Sequence, residues 1–223
     1  MTAAELLGAL HLASPALPVG GFAYSQGLES AIALGLVADE AGAARWIGDL
    51  LEHVLARTDA PVWLRAYDAA RESDLGALER LDRELFAIRE TAELRAETSQ
   101  MASSLLRVLP ALGCPPLPAL QTYPAAFAAA CAALGLAREA GLAAYFWSWL
   151  ENQVLVVLKC APLGQLAGQR LLHGAKPALE RALAIAAALA AEDPDAWPPA
   201  ACAVAFARAC AAHEVQYSRL FRS

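Results

Sequence analysis

The sequence predicts an all-α protein, a single-domain bundle of roughly nine to ten helices, on three observations. Hydrophobic residues make up 58% of the 223, enough to bury one large core. Alanine and leucine dominate and β-branched residues are sparse, a mixture that favours helix because alanine loses no side-chain freedom there. Apolar residues recur at helical steps, with no strand-like alternation and no repeat of fixed period.

A first helix is expected over 3–13, stopped by Ser14-Pro15-Ala16-Leu17-Pro18-Val19-Gly20-Gly21, whose two prolines and two glycines demand a loop. A second helix follows over 24–34 and ends near Gly35. Asp39 is placed to cap a third, in which Ile47, Leu50, Leu51 and Val54 share one face while Asp49 and Glu52 take the other. Asp59-Ala60-Pro61 has the form of a cap with proline in the first turn, opening a helix through Arg71. Ser73 or Asp74 restarts the chain, and Leu78, Leu81, Leu85 and Ile88 then mark a long amphipathic helix, or two in series, reaching Arg107. Gly113-Cys114-Pro115-Pro116-Leu117-Pro118 is the clearest linker, a bend between two halves of one bundle. Further helices are expected over 124–134, 138–158, 164–172, 177–191 and 199–213, followed by a polar, aromatic tail from Glu214.

Charge and hydropathy remove several classes of function. Twenty-three acids against 17 bases leave a net charge of −6, and Lys159 and Lys176 are the two lysines, so there is no basic face for nucleic acid. Mean hydropathy is positive. The best apolar runs, 125–137 and 182–191, nevertheless fall short of the ~20 residues that cross a bilayer, so no membrane role is expected. Met1-Thr2-Ala3-Ala4-Glu5 lacks the basic start and apolar stretch of a secretion signal, which points to the cytoplasm. Cysteines 114, 131, 160, 202 and 210 are scattered without a CxxC pair and are expected to be reduced and buried.

Recognisable catalytic chemistry is missing. Pro18-Val19-Gly20-Gly21 lacks the lysine that a phosphate-binding loop requires. Ala23-Tyr24-Ser25-Gln26-Gly27 has the outline of a nucleophile elbow, but its first glycine is replaced and no strand precedes it. None of His11, His53, His173 or His213 follows a glutamate by three residues, as helical di-metal enzymes require. Cys210 and His213 stand one helical turn apart beside Glu214, a weak metal candidate because two ligands do not complete a tetrahedral site.

Four segments in order carry a resemblance. The first is Leu12-Ala13-Ser14-Pro15-Ala16-Leu17-Pro18-Val19-Gly20-Gly21-Phe22-Ala23-Tyr24-Ser25-Gln26-Gly27-Leu28-Glu29. The second is Thr91-Ala92-Glu93-Leu94-Arg95 leading to Gln100-Met101, and the third Glu151-Asn152-Gln153 leading to Lys159 and Pro162-Leu163-Gly164-Gln165. The fourth is His213-Glu214-Val215-Gln216-Tyr217-Ser218-Arg219-Leu220-Phe221-Arg222-Ser223. Together they resemble the UreF family of urease accessory proteins. The resemblance implies an all-α, dimeric, non-enzymatic scaffold that binds the GTPase UreG on one side and the accessory protein UreD, also called UreH, on the other. That assembly docks on apo-urease for nickel insertion; nickel is handled by the complex, and no cofactor is expected to be held firmly by this chain.

Site residues follow from both lines of reasoning. Tyr217, Leu220 and Phe221 fall at i, i+3 and i+4, and Arg219 and Arg222 add positive charge, so 214–223 is expected to be a docking tail, the alternative being permanent packing on the protein's own body. Gly20 and Gly21 beside Phe22 and Tyr24 form either a seating turn or an interface. Glu29 and Lys159 match charged positions of the family motifs and are expected to meet the GTPase, the alternative being a solvated charge. Glu151, Asn152 and Gln153 interrupt an apolar helix, which calls for structural hydrogen bonds or a polar route for nickel. The competing functions are a soluble hydrolase using Ser25, a metal-assisted enzyme using Cys210 and His213, and a helical adaptor unrelated to urease.

Overall fold

The computed structural model describes residues 2–192 and 203–223, and among these there is helix but no strand. The elements are α1 (Ala3–Ala13), α2 (Leu28–Ala33), α3 (Glu40–Asp49), α4 (Asp59–Arg71), α5 (Leu75–Ala87), α6 (Ala92–Val108), α7 (Tyr123–Ala133), α8 (Arg138–Cys160), α9 (Gln165–Gly174), α10 (Lys176–Ala190) and α11 (Val204–Glu214). No helix among the described residues is long and apolar enough to cross a membrane.

The core is built around α7. Its residues Ala125 to Cys131 are entirely inaccessible, because alanine on every side lets α4, α6 and α8 approach closely. Phe127 sits edge-on to Tyr145 of α8 at 5.6 Å, and Trp63 stacks on Tyr67 within α4. The Tyr67 hydroxyl donates to the Leu136 carbonyl at 2.6 Å, satisfying its polar end. The linker before α7 is anchored by buried Asp82, whose carboxylate accepts from Gln121 N, Thr122 N and the Thr122 hydroxyl at 2.7 to 2.8 Å.

Side-chain caps open several helices, those at Asp39 and Asp74 as expected. Thr2 and Glu5 form a reciprocal capping box on α1, and Asp39, Asp74 and Thr91 each accept the N–H three residues on. Other expectations need correction. The second helix begins at Leu28, not at residue 24, because Gln26 and Gly27 have φ of 51° and 73°, which a right-handed helix excludes. Asp59 is no cap: Thr58 takes that position, and the Asp59 carboxylate pairs with Arg89 at 3.0 Å. The charged stretch after Asp74 takes the second of its two expected forms, two helices in series broken between Ala87 and Ala92, with Ile88 37% exposed. The third helix runs on into a π-helical turn over Leu50–Leu55. The expected start of the last helix at 199, like Cys202, lies outside the described residues.

Candidate functional site

The first, second and fourth segments, with Lys159 of the third, meet at one seam between α2, α6, α8 and α11. The approach of α2 to α11 depends on Gly27: a Cβ there would lie 2.9 Å from both the Cys210 amide nitrogen and its Sγ. Gly20, at φ 80°, supplies the left-handed turn that leads into a 3-10 turn over Gly21–Ala23. The adjoining aromatics then diverge. Phe22 is 62% exposed, whereas Tyr24 is buried and its hydroxyl donates to Gln100 Oε1 at 2.7 Å.

Residues 215–223 continue without helix, so the i, i+3, i+4 spacing expected of the tail does not describe it. The tail is held mainly through its backbone. Glu29 is buried, with Oε1 accepting the Leu220 N–H at 2.7 Å and Oε2 the Phe221 N–H at 3.0 Å. Such charge-assisted bonds are about twice as strong as neutral ones. The Arg222 N–H donates to the Ala23 carbonyl and the Ser25 N–H to the Ser223 backbone oxygen, each at 2.8 Å. The Ser25 hydroxyl also donates to that oxygen.

Side chains complete the clamp. The Arg219 guanidinium pairs with Glu93, and the Ser223 hydroxyl donates to Glu97 at 2.7 Å. Lys159 Nζ stands 5.2 Å from the centre of the Phe221 ring, a cation–π contact on the outer side of a ring that is itself buried. Tyr217 and Leu220 point away, fully and 72% exposed. Glu29 is therefore not a solvated charge: both its oxygens are engaged within the chain, and Lys159 reaches the same tail.

The weak metal candidate takes a different form. His213 is completely buried, with Nδ1 2.6 Å from Glu93 Oε2 and Nε2 3.2 Å from Glu29 Oε2. Both ring nitrogens thus face carboxylate oxygens of the chain itself. Burial, reinforced by Glu97, Glu90, Glu93 and Glu214, pushes the Cys210 thiol up. Among the described residues no three His, Cys, Asp or Glu side chains are grouped to hold a metal. Ser25 is inaccessible, which rules out the nucleophile reading.

Beside the seam lies a cavity of about 120 Å³, lined among others by Phe22, Asp59, Arg89, Glu97, Trp149 and Glu151. Burial opposes the Arg89 charge, but Asp59 outweighs it and raises the guanidinium pKa. Burial likewise raises the Glu97 carboxyl, while hydrogen bonds from Ser223 and Gln26 pull it back. Gln26 links cavity to seam, donating to Glu97 and accepting from Trp149 Nε1, each at 2.6 Å. Of the polar triplet in α8, Asn152 donates to the Tyr24 carbonyl at 2.9 Å, whereas Gln153 is fully buried with neither amide atom partnered.

Sequence reasoning singled out Glu29 and the tail but missed Glu97, Asp59 and Arg89. A signal existed for part of this: Glu93, Glu97 and Gln100 recur at i, i+4 and i+7 and so share one face of α6.

The sequence profile of the UreF family matches residues 37–176. Over the whole chain there are stronger likenesses. The urease accessory protein UreF of Bordetella bronchiseptica strain RB50 is 48% identical, covering 96% of this chain and 100% of the relative. UreF of Cupriavidus metallidurans is 44% identical over 98% of each. A bifunctional urease accessory protein UreEF of Bordetella bronchiseptica is 47% identical over 100% of this chain, which spans 53% of that longer protein's length.

Proposed function

The chain belongs to the UreF family of urease accessory proteins, and on that premise we propose that it is a scaffold for urease maturation, acting in the cytoplasm as a homodimer. It is an accessory protein and not an enzyme. It bridges the UreG GTPase and UreD/UreH, and the assembly docks on apo-urease, where nickel is inserted. Nickel is the cargo of that assembly.

The observation that carries the reading is the tail. Exposed Tyr217 and Leu220 stand on a segment held to α2 through its backbone and to α6 through the Arg219 and Ser223 side chains, a display of aromatic and aliphatic anchors of the kind that binding surfaces use. Nucleotide hydrolysis belongs to the GTPase, in keeping with the missing phosphate-binding loop. The net charge of −6 speaks against nucleic acid as a partner.

Deleting residues 219–223 tests this. The truncated protein is expected to keep its helical circular dichroism and dimeric mass while activating urease poorly in cells supplied with nickel. Full activation by the truncated chain would remove the tail from the mechanism.

A further inference from the structure

The two charged residues matched to family positions, Glu29 and Lys159, both end on the tail, one buried and one exposed. Glu29 approaches from α2, inside the seam, and both its oxygens are taken up by Leu220, Phe221 and His213. Lys159 approaches from α8, on the surface, and its ammonium lies over the Phe221 ring. Burial, with the Glu29 charge second and Lys159 opposing, pushes the nearby Cys160 thiol up to about 11, as the closeness of these groups requires.

We propose that Glu29 and Lys159 are positioning residues for the tail: they clamp residues 219–222 so that Tyr217 and Leu220 are presented to a partner protein, and Glu29 acts on that partner only through the tail. The inference rests on the docking reading above and deepens it. Its physical basis is accessibility and valence. A buried carboxylate with both oxygens occupied has nothing to offer an incoming surface, yet its removal frees two backbone N–H groups and one ring nitrogen of a buried imidazole. Tyr217 carries the complementary property, full exposure.

Amide hydrogen exchange on the isolated full chain reads the clamp directly. In Glu29→Ala and Glu29→Gln, the amides of Leu220, Phe221 and Arg222 are expected to exchange at least about tenfold faster, with the amides of α7 unchanged. Lys159→Met keeps the stem and drops the charge at an exposed position, and should speed the same amides by a smaller factor. Unchanged tail exchange in all three variants, or equal acceleration in α7, would overturn the clamp.

A binding cycle with co-purified UreD/UreH separates this from the docking reading. Deleting 215–223 is expected to weaken the complex, Glu29→Ala to weaken it comparably, and the two together to do no more than the deletion alone. A further loss from Glu29→Ala in the deleted chain would place Glu29 in direct contact and refute the proposal. If the deletion leaves binding intact while tail exchange still accelerates, the docking reading falls and the clamp survives as a feature of the fold.

Discussion

Helix α7 and the tail seam are stabilised by opposite means. Around α7 the contacts are apolar and complete: five fully buried alanines, Phe127 and Cys131 lie among α4, α6 and α8. At the seam, Glu29, Glu93 and Glu97 hold a non-helical strap by its N–H groups, a serine hydroxyl and an arginine. The first arrangement has no alternative, since opening it exposes apolar surface at every residue. The second exchanges hydrogen bonds for hydrogen bonds with water if it opens, so its net contribution per bond is about 0.5–1.5 kcal/mol, more where a charge takes part. The difference teaches where this chain can move: the bundle is rigid, and the strap is the part whose order is open to adjustment.

The largest expected effect lies in the core. Phe127→Ala should cost about 3–5 kcal/mol in denaturant unfolding, through lost burial and a cavity that α4 and α8 cannot collapse. A loss below about 1 kcal/mol would mean that the interior is not closely packed, and the contrast with the seam would dissolve.

The next prediction concerns pH. Burial raises the Glu97 carboxyl above its ordinary value, so the folded state holds that proton more tightly than the unfolded chain does. Its stabilising contribution is complete below the unfolded value of 4.5 and is lost as pH rises through the raised folded value. Glu97→Gln should therefore flatten the stability profile over that window, measured by urea midpoints across pH. An unchanged profile would remove Glu97 as the source of the pH dependence.

The smallest effect tests a cap at the seam's edge. Thr91→Ala removes the acceptor for the Leu94 N–H and should cost about 0.5–1 kcal/mol. The value should sit at the low end because Glu214 independently accepts from Ala92 N and Glu93 N at the same helix start. A loss well above that range would show that α6 and the seam unfold together.

How much of this was legible in the sequence follows the same division. The bundle was, because helix is a local decision: the first helix has the expected bounds of Ala3–Ala13, and Asp39 and Asp74 cap as their spacing suggests. The seam was visible as motifs but not as geometry. Gln26 adopts a left-handed conformation that glycine or asparagine would have signalled and glutamine does not. Asp59 imitates a cap because nothing nearby in sequence announces Arg89, thirty residues on, as its partner. The tail's spacing imitates a helix because its true partners, Glu29 and Glu97, lie 191 and 126 residues from Leu220 and Ser223. Long-range polar pairing leaves no periodic trace.

The central claim is that the chain works as a scaffold, and light scattering coupled to gel filtration tests it most directly. The protein is run alone and then co-expressed with UreD/UreH and UreG. The account predicts a dimer that moves, with both partners present, into one larger complex of fixed composition. Elution of the chain by itself, with both partners folded and soluble in the same extract, would contradict it.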